Sequence, residues 1–462
     1  MVTPPRDAAS TVGFIDHYCW IYRSLFDEVR QFECFKYLHL GMLSEIPRKS
    51  LPAIAKAVGL KDGQRLHHFL RDSDWQVEQI RETRLWLTKL LIGEREIVLI
   101  IDETGDEKKG KTTDYVKKQY IGNLGKTARG IVSVNAYAVV EEITYPLLFK
   151  IFKPRKCLKP EDEYKTKPQI AQEIIQEVNK WGFRVKLVLA DSLYGESGDV
   201  IGLLKQLKLS YIVAIRSNHG VLMPPRAKKR YNKWRAYQQK LSKRKIETRY
   251  IREIIFGQRR KVRYYQISKK NVPDPSGEDS WYIMTNLSGN ITLKVAPLYS
   301  LRNWIEYSFK QVKNELGWAD YRLTDYASIE KWWEIVFSTY FLISIQANYF
   351  RLQTIQAIQG GSQSKTQFSV TDTLIPHVFH SICQFERHCW WERGTTWKSA
   401  LNNLRLIIQP YIFYCLICPW LQVFKIPGMK RCFLKLIGIM NHWKGLVLDS
   451  KFTQEILILS AC

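Results

Sequence analysis

Two short runs constrain this chain more than anything else in it. Ile97-Val98-Leu99-Ile100-Ile101 and Leu187-Val188-Leu189-Ala190 are apolar at every position, and each is followed at once by an aspartate, Asp102 and Asp191. A strand that alternates apolar and polar residues can leave one face in water, but a strand apolar throughout is covered on both faces, as when helices pack above and below a sheet. The text around the two runs agrees. Strand-like segments at 131–140, 145–152, 211–216 and 281–285 are interleaved with helical ones at 169–181 and 199–207. The expected fold class is therefore α/β. In an open α/β sheet the strand ends form the edge where ligands bind. An aspartate there is more often a turn or cap residue than a catalyst, so the pair alone decides nothing.

Charge narrows the partner. Lys+Arg number 70 against 44 Asp+Glu in 462 residues, a formal net charge of +26, which calls for a polyanion, either nucleic acid or an acidic membrane. Residues 226–270 hold 18 of the cations against Glu247 and Glu253, with tight clusters at Lys228, Lys229, Arg230 and at Lys243, Arg244, Lys245. Tyr231, Trp234, Tyr237, Tyr250, Tyr264 and Tyr265 are interleaved, and 247–267 alternates as short strands do. A solvated lysine-rich loop is the plain alternative. Strand-forming basic sequence with flat side chains better suits a surface that grips phosphates by counterion release and stacks rings on exposed bases. A membrane surface would want an amphipathic helix, which this block lacks.

The nine cysteines are odd in number and scattered, as in a reducing compartment, and the N-terminal residues lack the apolar core of a signal peptide. The apolar stretches 332–350 and 407–426 carry Glu334, Gln346, Asn348 and Gln409, Pro410, Pro419, Gln422, and both read as buried helices rather than membrane spans. A soluble cytoplasmic protein with no membrane partner is expected. The organisation expected is a helical DNA-binding domain over 1–95, an α/β core of 96–217 plus 281–352, a basic β-rich insertion over 218–280, and a helical C-terminal region of unknown role over 353–462. Within the first, residues 50–71 resemble a helix-turn-helix, with a plain helical hairpin as the alternative.

Residues 298–316 supply a third acid. Leu298, Leu301, Ile305, Phe309, Val312 and Leu316 recur at helical spacing and Gly317 is a natural stop. At about 100° per residue, Tyr299, Arg302, Glu306 and Lys313 fall within an arc of roughly 60° beside that stripe. A salt-bridged solvent flank would look the same, Arg302 and Glu306 being four apart. A core-flanking carboxylate after two strand-end aspartates is also what two-metal phosphoryl transfer requires, where paired divalent ions activate an attacking hydroxyl and stabilise the leaving oxygen.

The spacing Tyr299-x2-Arg302-x3-Glu306-x6-Lys313 resembles the Y-R-E-K signature of DDE transposases from bacterial insertion sequences, the group containing the insertion-sequence 4 and 701 families. Ile101-Asp102-Glu103-Thr104-Gly105 with Lys108-Lys109-Gly110, and Asp191-Ser192-Leu193-Tyr194-Gly195, are similar to the first- and second-aspartate motifs of that group. The resemblance spans about residues 40–350. It implies a ribonuclease-H-like core with Asp102, Asp191 and Glu306 as catalytic ligands of two Mg²⁺ ions, Mn²⁺ substituting. It further implies a β-rich insertion before the glutamate and Tyr299, Arg302 and Lys313 on the DNA near the cut phosphate. Element ends and target DNA would be the partners of a homodimer working on the bacterial nucleoid. Glu103 departs from the pattern, which leaves Asp102 as the ligand.

Three other readings compete. A transposase remnant that binds DNA without cutting it would keep the same motifs. Gly105-Asp106-Glu107-Lys108-Lys109-Gly110-Lys111-Thr112 formally fits a nucleotide-binding P-loop, although two acids would sit where phosphates belong and no good helix follows. Cys415 and Cys418, with His377, His380, Cys383, His388 and Cys389 nearby, lack regular zinc spacing and read as buried thiols and core histidines.

Overall fold

The computed structural model describes residues 6–110, 112–240, 246–257, 261–359, 382, 384–424, 426–443 and 445. In chain order the elements begin with α1 (Gly13–Trp20), α2 (Val29–Leu43), α3 (Leu51–Ala57), α4 (Gln64–Arg71) and α5 (Val77–Ile92). There follow β1 (Ile97–Glu107), β2 (Lys117–Ile121), β3 (Lys126–Val140), β4 (Ile143–Ile151), α6 (Lys167–Lys180), β5 (Val185–Ala190), α7 (Ser192–Gly195), α8 (Gly198–Gln206) and β6 (Tyr211–Ile215). Next come β7 (Lys229–Tyr231), β8 (Arg235–Lys240), β9 (Ile246–Phe256), β10 (Arg263–Ser268) and β11 (Ser280–Thr285). Last are α9 (Thr292–Ser300), α10 (Asn303–Asn314), α11 (Tyr326–Gln359), α12 (Trp397–Val423) and α13 (Met429–Asn441).

Two compact units result, one of Ile92–Lys111 with Tyr115–Phe309, the other of Met1–Leu91, Thr112–Asp114 and Lys310–Cys462. The first is built on one sheet of order β2-β3-β1-β5-β6-β11-β10-β9-β7, with β4 on β3 and β8 on β9. The two apolar runs are β1 and β5, parallel neighbours in the centre, and β5 pairs in parallel with β6. Every other pairing is antiparallel. Ile97, Leu99, Ile100, Leu187, Val188 and Leu189 are buried, as their continuous hydrophobicity demands. Helix α6 starts at a capping box in which Thr166 and Gln169 bond each other's backbone, and its apolar stripe Ile170, Ile174, Ile175 and Val178 is buried. This mixed α/β unit, a central sheet with helices, is consistent with a ribonuclease-H-like core. Strands β7 to β10, drawn from the basic block, continue the same sheet through β11.

The second unit is helical, and its centre is α11. Trp332, Trp333, Ile335, Val336, Phe337, Tyr340 and Phe341 are all buried. Tyr18 and His39 reach Ser338, each within 3.0 Å, and Arg84 bonds Glu334 at 2.6 Å with both side chains removed from solvent. Every residue from 332 to 348 is buried, the polar Glu334 and Ser338 included, so the helix is covered all round and its polar groups need partners. The described residues of 1–91 and of the chain from 310 on fall in one compact unit. Helices α3 and α4 bury Ile54, Ala55, Leu66 and Phe69 across a turn at Gly59, whose φ of +79° only glycine adopts cheaply.

Two expectations change. The segment 407–426 was read as a buried helix. The fully buried residues of α12 end at Ile408, while Phe413, Trp420, Val423 and Phe424 are exposed and α13 supplies Phe433 as a ring neighbour. α12 is long and apolar enough to cross a membrane, by length and composition. The single helix expected over 298–316 is two. Bonds from Leu301 to Leu298, Arg302 to Tyr299, Trp304 to Leu301 and Ile305 to Arg302 close tighter three-residue turns between α9 and α10.

Candidate active site

β1 runs on past Asp102, so that residue lies within the strand and not at its end; what ends there is the parallel ladder. Ile101 is the last β1 residue opposite β5, facing Ala190, and the next residues on the two strands are Asp102 and Asp191. Beyond this point β1 pairs only with β3, Asp102 opposite the buried Asn135. Two carboxylates thus stand side by side where β5 leaves the sheet. Asp191 caps α7, its Oδ1 accepting from the Leu193 amide at 2.9 Å, so the cap and the candidate ligand are one side chain. Gly195 ends that turn. A Cβ there would run into the Ala214 carbonyl oxygen on β6, so only glycine lets α7 lie against the sheet.

Strand alternation separates Asp102 from Glu103. Glu103 is on the opposite face, paired with Lys167 at the start of α6 at 2.9 Å. Asp102 instead meets Arg302, whose Nη1 donates to its Oδ2 at 2.5 Å, while Nη2 donates to Glu306 at 3.0 Å. Arg302 therefore lies between the buried Asp102 and the half-exposed Glu306. Tyr299 completes the group, its hydroxyl 3.5 Å from the Ala190 carbonyl oxygen beside Asp191. The tight turns between α9 and α10 bring Tyr299, Arg302 and Glu306 to one place despite the break. Lys313 is on α10 seven residues beyond Glu306, in the stretch from Lys310 that belongs to the helical unit.

Electrostatics mark the spot. Burial pushes the Asp102 carboxyl up to about 7, Arg302 opposing and Asp191 adding to the rise. Burial likewise pushes the Tyr299 hydroxyl up to about 12. Burial would lower the Arg302 pKa, yet Asp102, Tyr299 and Glu306 outweigh it and raise it. Among the described residues, no three His, Cys, Asp or Glu side chains stand close enough to hold a metal ion. At this site Arg302 takes up both Asp102 and Glu306. The donor chemistry still fits divalent cations of the Mg²⁺ kind. All the donors are carboxylate oxygens, the ligand type that hard divalent cations take.

The basic block is less available than its composition suggests. Arg252 is sandwiched between Tyr231 and Trp234, at 3.9 and 4.2 Å from the ring centres, and Arg263 is buried against Glu253 at 2.7 Å. Those two rings hold one of the protein's own arginines, a use that no spacing in the sequence signals. Lys228, Lys229 and Arg230 are exposed, the last two on β7. Lys243, Arg244 and Lys245 lie outside the described residues. In the P-loop reading, Gly105, Asp106 and Glu107 belong to β1 and the next regular element is strand β2, so the strand–loop–helix that motif needs is not formed. Lys111 itself is outside the described residues, as are His377, His380 and Cys383 of the cysteine–histidine cluster.

A family model described as DDE superfamily endonuclease matches residues 24–268, a span that contains Asp102 and Asp191 and stops short of Glu306. The chain belongs to the DDE superfamily of endonucleases. It is also 53% identical over 329 residues, 71% of its length and 86% of the relative's, to a protein of Microchaete diplosiphon described as a probable transposase for insertion sequence element IS701. That makes it a DDE transposase of the IS701 type, from a superfamily of DNA-acting enzymes that use divalent metal ions.

Proposed function

We propose that the chain cuts DNA at the ends of its own insertion element and joins the freed 3′-hydroxyl to target DNA. The observation that carries this reading is the pairing of Asp102 and Asp191 at the close of the β1–β5 ladder, with Arg302 and Glu306 against it. Asp102, Asp191 and Glu306 would hold two Mg²⁺ ions, or Mn²⁺ in their place, which when bound supply Lewis-acid polarisation and charge neutralisation for in-line displacement at phosphorus. The chain's own residues do the rest. Arg302, here paired through both terminal nitrogens with Asp102 and Glu306, would turn its guanidinium fork to the phosphate being cut when those carboxylates hold the ions. Tyr299 and Lys313 contact the flanking backbone. Water attacks the phosphorus, the bond to the 3′-oxygen breaks, and the released 3′-hydroxyl then attacks a target phosphodiester in the same way. The α3–α4 pair reads the end sequence, and two copies act together on the nucleoid, because two ends must be joined. Transfer of a labelled element end into a plasmid, seen on a gel, tests the activity.

In the insertion, Lys228, Lys229 and Arg230 are exposed cations fit for phosphate contact. Neutralising all three is expected to lower the slope of log K against log salt by about 2.7, at about 0.9 per lost contact. Fluorescence anisotropy across a salt series measures it. An unchanged slope would make β7 a bystander.

A further inference from the structure

The outer half of the β1–β2–β3 ladder carries a basic ridge that the site described above does not use. Residues directly opposite each other in an antiparallel ladder share a face of the sheet, and along one strand every second residue shares it too. β3 faces Asp102 with Asn135, Lys118 with Arg129, and Tyr120 with Thr127. Asn135, Arg129 and Thr127 are even numbers of residues apart, so Lys118, Arg129, Tyr120 and Thr127 line the same face as Asp102. It is the face on which Tyr137 of β3 meets Phe309 of α10, ring centres 6.0 Å apart. All four ridge residues are exposed, Tyr120 at 55%. Lys117 and Lys126, also exposed, flank them.

Lys118 and Arg129 are like charges set directly opposite across a ladder, an arrangement that costs rather than contributes. An anion laid over the pair removes that cost. From Asn135 to Arg129 is six residues of strand, about 20 Å, which is the rise of about six base pairs of duplex. We infer that Lys118 and Arg129, with Tyr120 beside them, grip the backbone of the duplex about six base pairs to one side of the phosphate at Asp102. The inference rests on the site being a DNA-cutting one. The plain alternative is that lysines on the edge strand β2 only discourage sheet-to-sheet pairing.

The test uses the full chain and duplexes carrying the terminal sequence of the element that encodes it, with four or sixteen base pairs beyond the cut on each side in turn. Wild type should bind with higher affinity and a steeper salt slope when one of the two flanks is long. The Lys118→Gln/Arg129→Gln variant should lose about 1.8 from that slope on the long flank, match wild type on the short one, and melt no lower than wild type. A variant whose slope on the long flank equals that of wild type, while wild type still binds and cuts, overturns the ridge alone. A wild type that neither binds nor cuts these duplexes overturns the DNA-cutting site and the ridge with it.

Discussion

Asp191→Asn is expected to lower strand cleavage by about a thousandfold or more, on the order of 4 kcal/mol in the barrier, while folding and DNA binding persist. The two halves of that outcome have separate causes. Asparagine is as good an N-cap as aspartate, so its side-chain oxygen keeps the bond from the Leu193 amide and α7 stays in place. What disappears is one negative charge next to Asp102. Asp102→Asn should behave alike, since the Glu103 amide at 2.8 Å still finds an acceptor. Glu306→Gln removes charge from an exposed helix position and should leave stability within about 0.5 kcal/mol of wild type. End binding survives in all three because phosphates are held by cations. Single-turnover cleavage beside anisotropy on the same preparations separates the effects. Asparagine variants that cut at the wild-type rate would mean the chemistry happens elsewhere.

The helical unit should be equally intolerant at one ion pair. Glu334→Leu leaves Arg84, which is wholly buried, without its 2.6 Å partner and deprives Arg81 of a 3.3 Å contact. Breaking a buried pair from one side costs about 3–5 kcal/mol, because the remaining charge cannot return to water. The double variant Arg84→Met/Glu334→Leu should recover most of that loss, as Arg81 keeps Glu330 at 2.7 Å. Urea unfolding midpoints at matched slopes give the comparison. A single variant within about 1 kcal/mol of wild type would contradict the picture of α11 as the covered centre of this unit.

The central sheet was legible because its cause is local. Continuous aliphatic runs leave few options, and β1 and β5 sit where 97–101 and 187–190 put them. Asp102 and Asp191 were legible for the same reason, each being the residue after a run. What they do together depends on strand register, which no run of residues reveals. Arg302 shows the limit more sharply. The family resemblance implied its DNA contact and the four-residue spacing offered its pair with Glu306, but that it also reaches the buried Asp102 depends on where β1 lies, which spacing does not reveal. The break between α9 and α10 was hidden because three-residue turns barely shift a helical apolar stripe. In the insertion, charge could be counted but not assigned, since Arg252 and Arg263 are used inside the sheet. The exposed end of α12 has the composition of a buried helix, and only the positions of its neighbours distinguish the two.

One measurement tests the account at its centre. The full-length chain is mixed with a plasmid carrying the element's ends, with Mg²⁺ in one series and with EDTA in the other, and the ends of any products are mapped. Wild type should cut in Mg²⁺ and leave free 3′-hydroxyls with no protein attached, should be silent in EDTA, and should lose the activity in Glu306→Gln but not in Lys111→Ala. Cleavage that persists in EDTA, a covalent protein–DNA product, or activity that survives Glu306→Gln and dies with Lys111→Ala would each contradict the assignment of Asp102, Asp191 and Glu306.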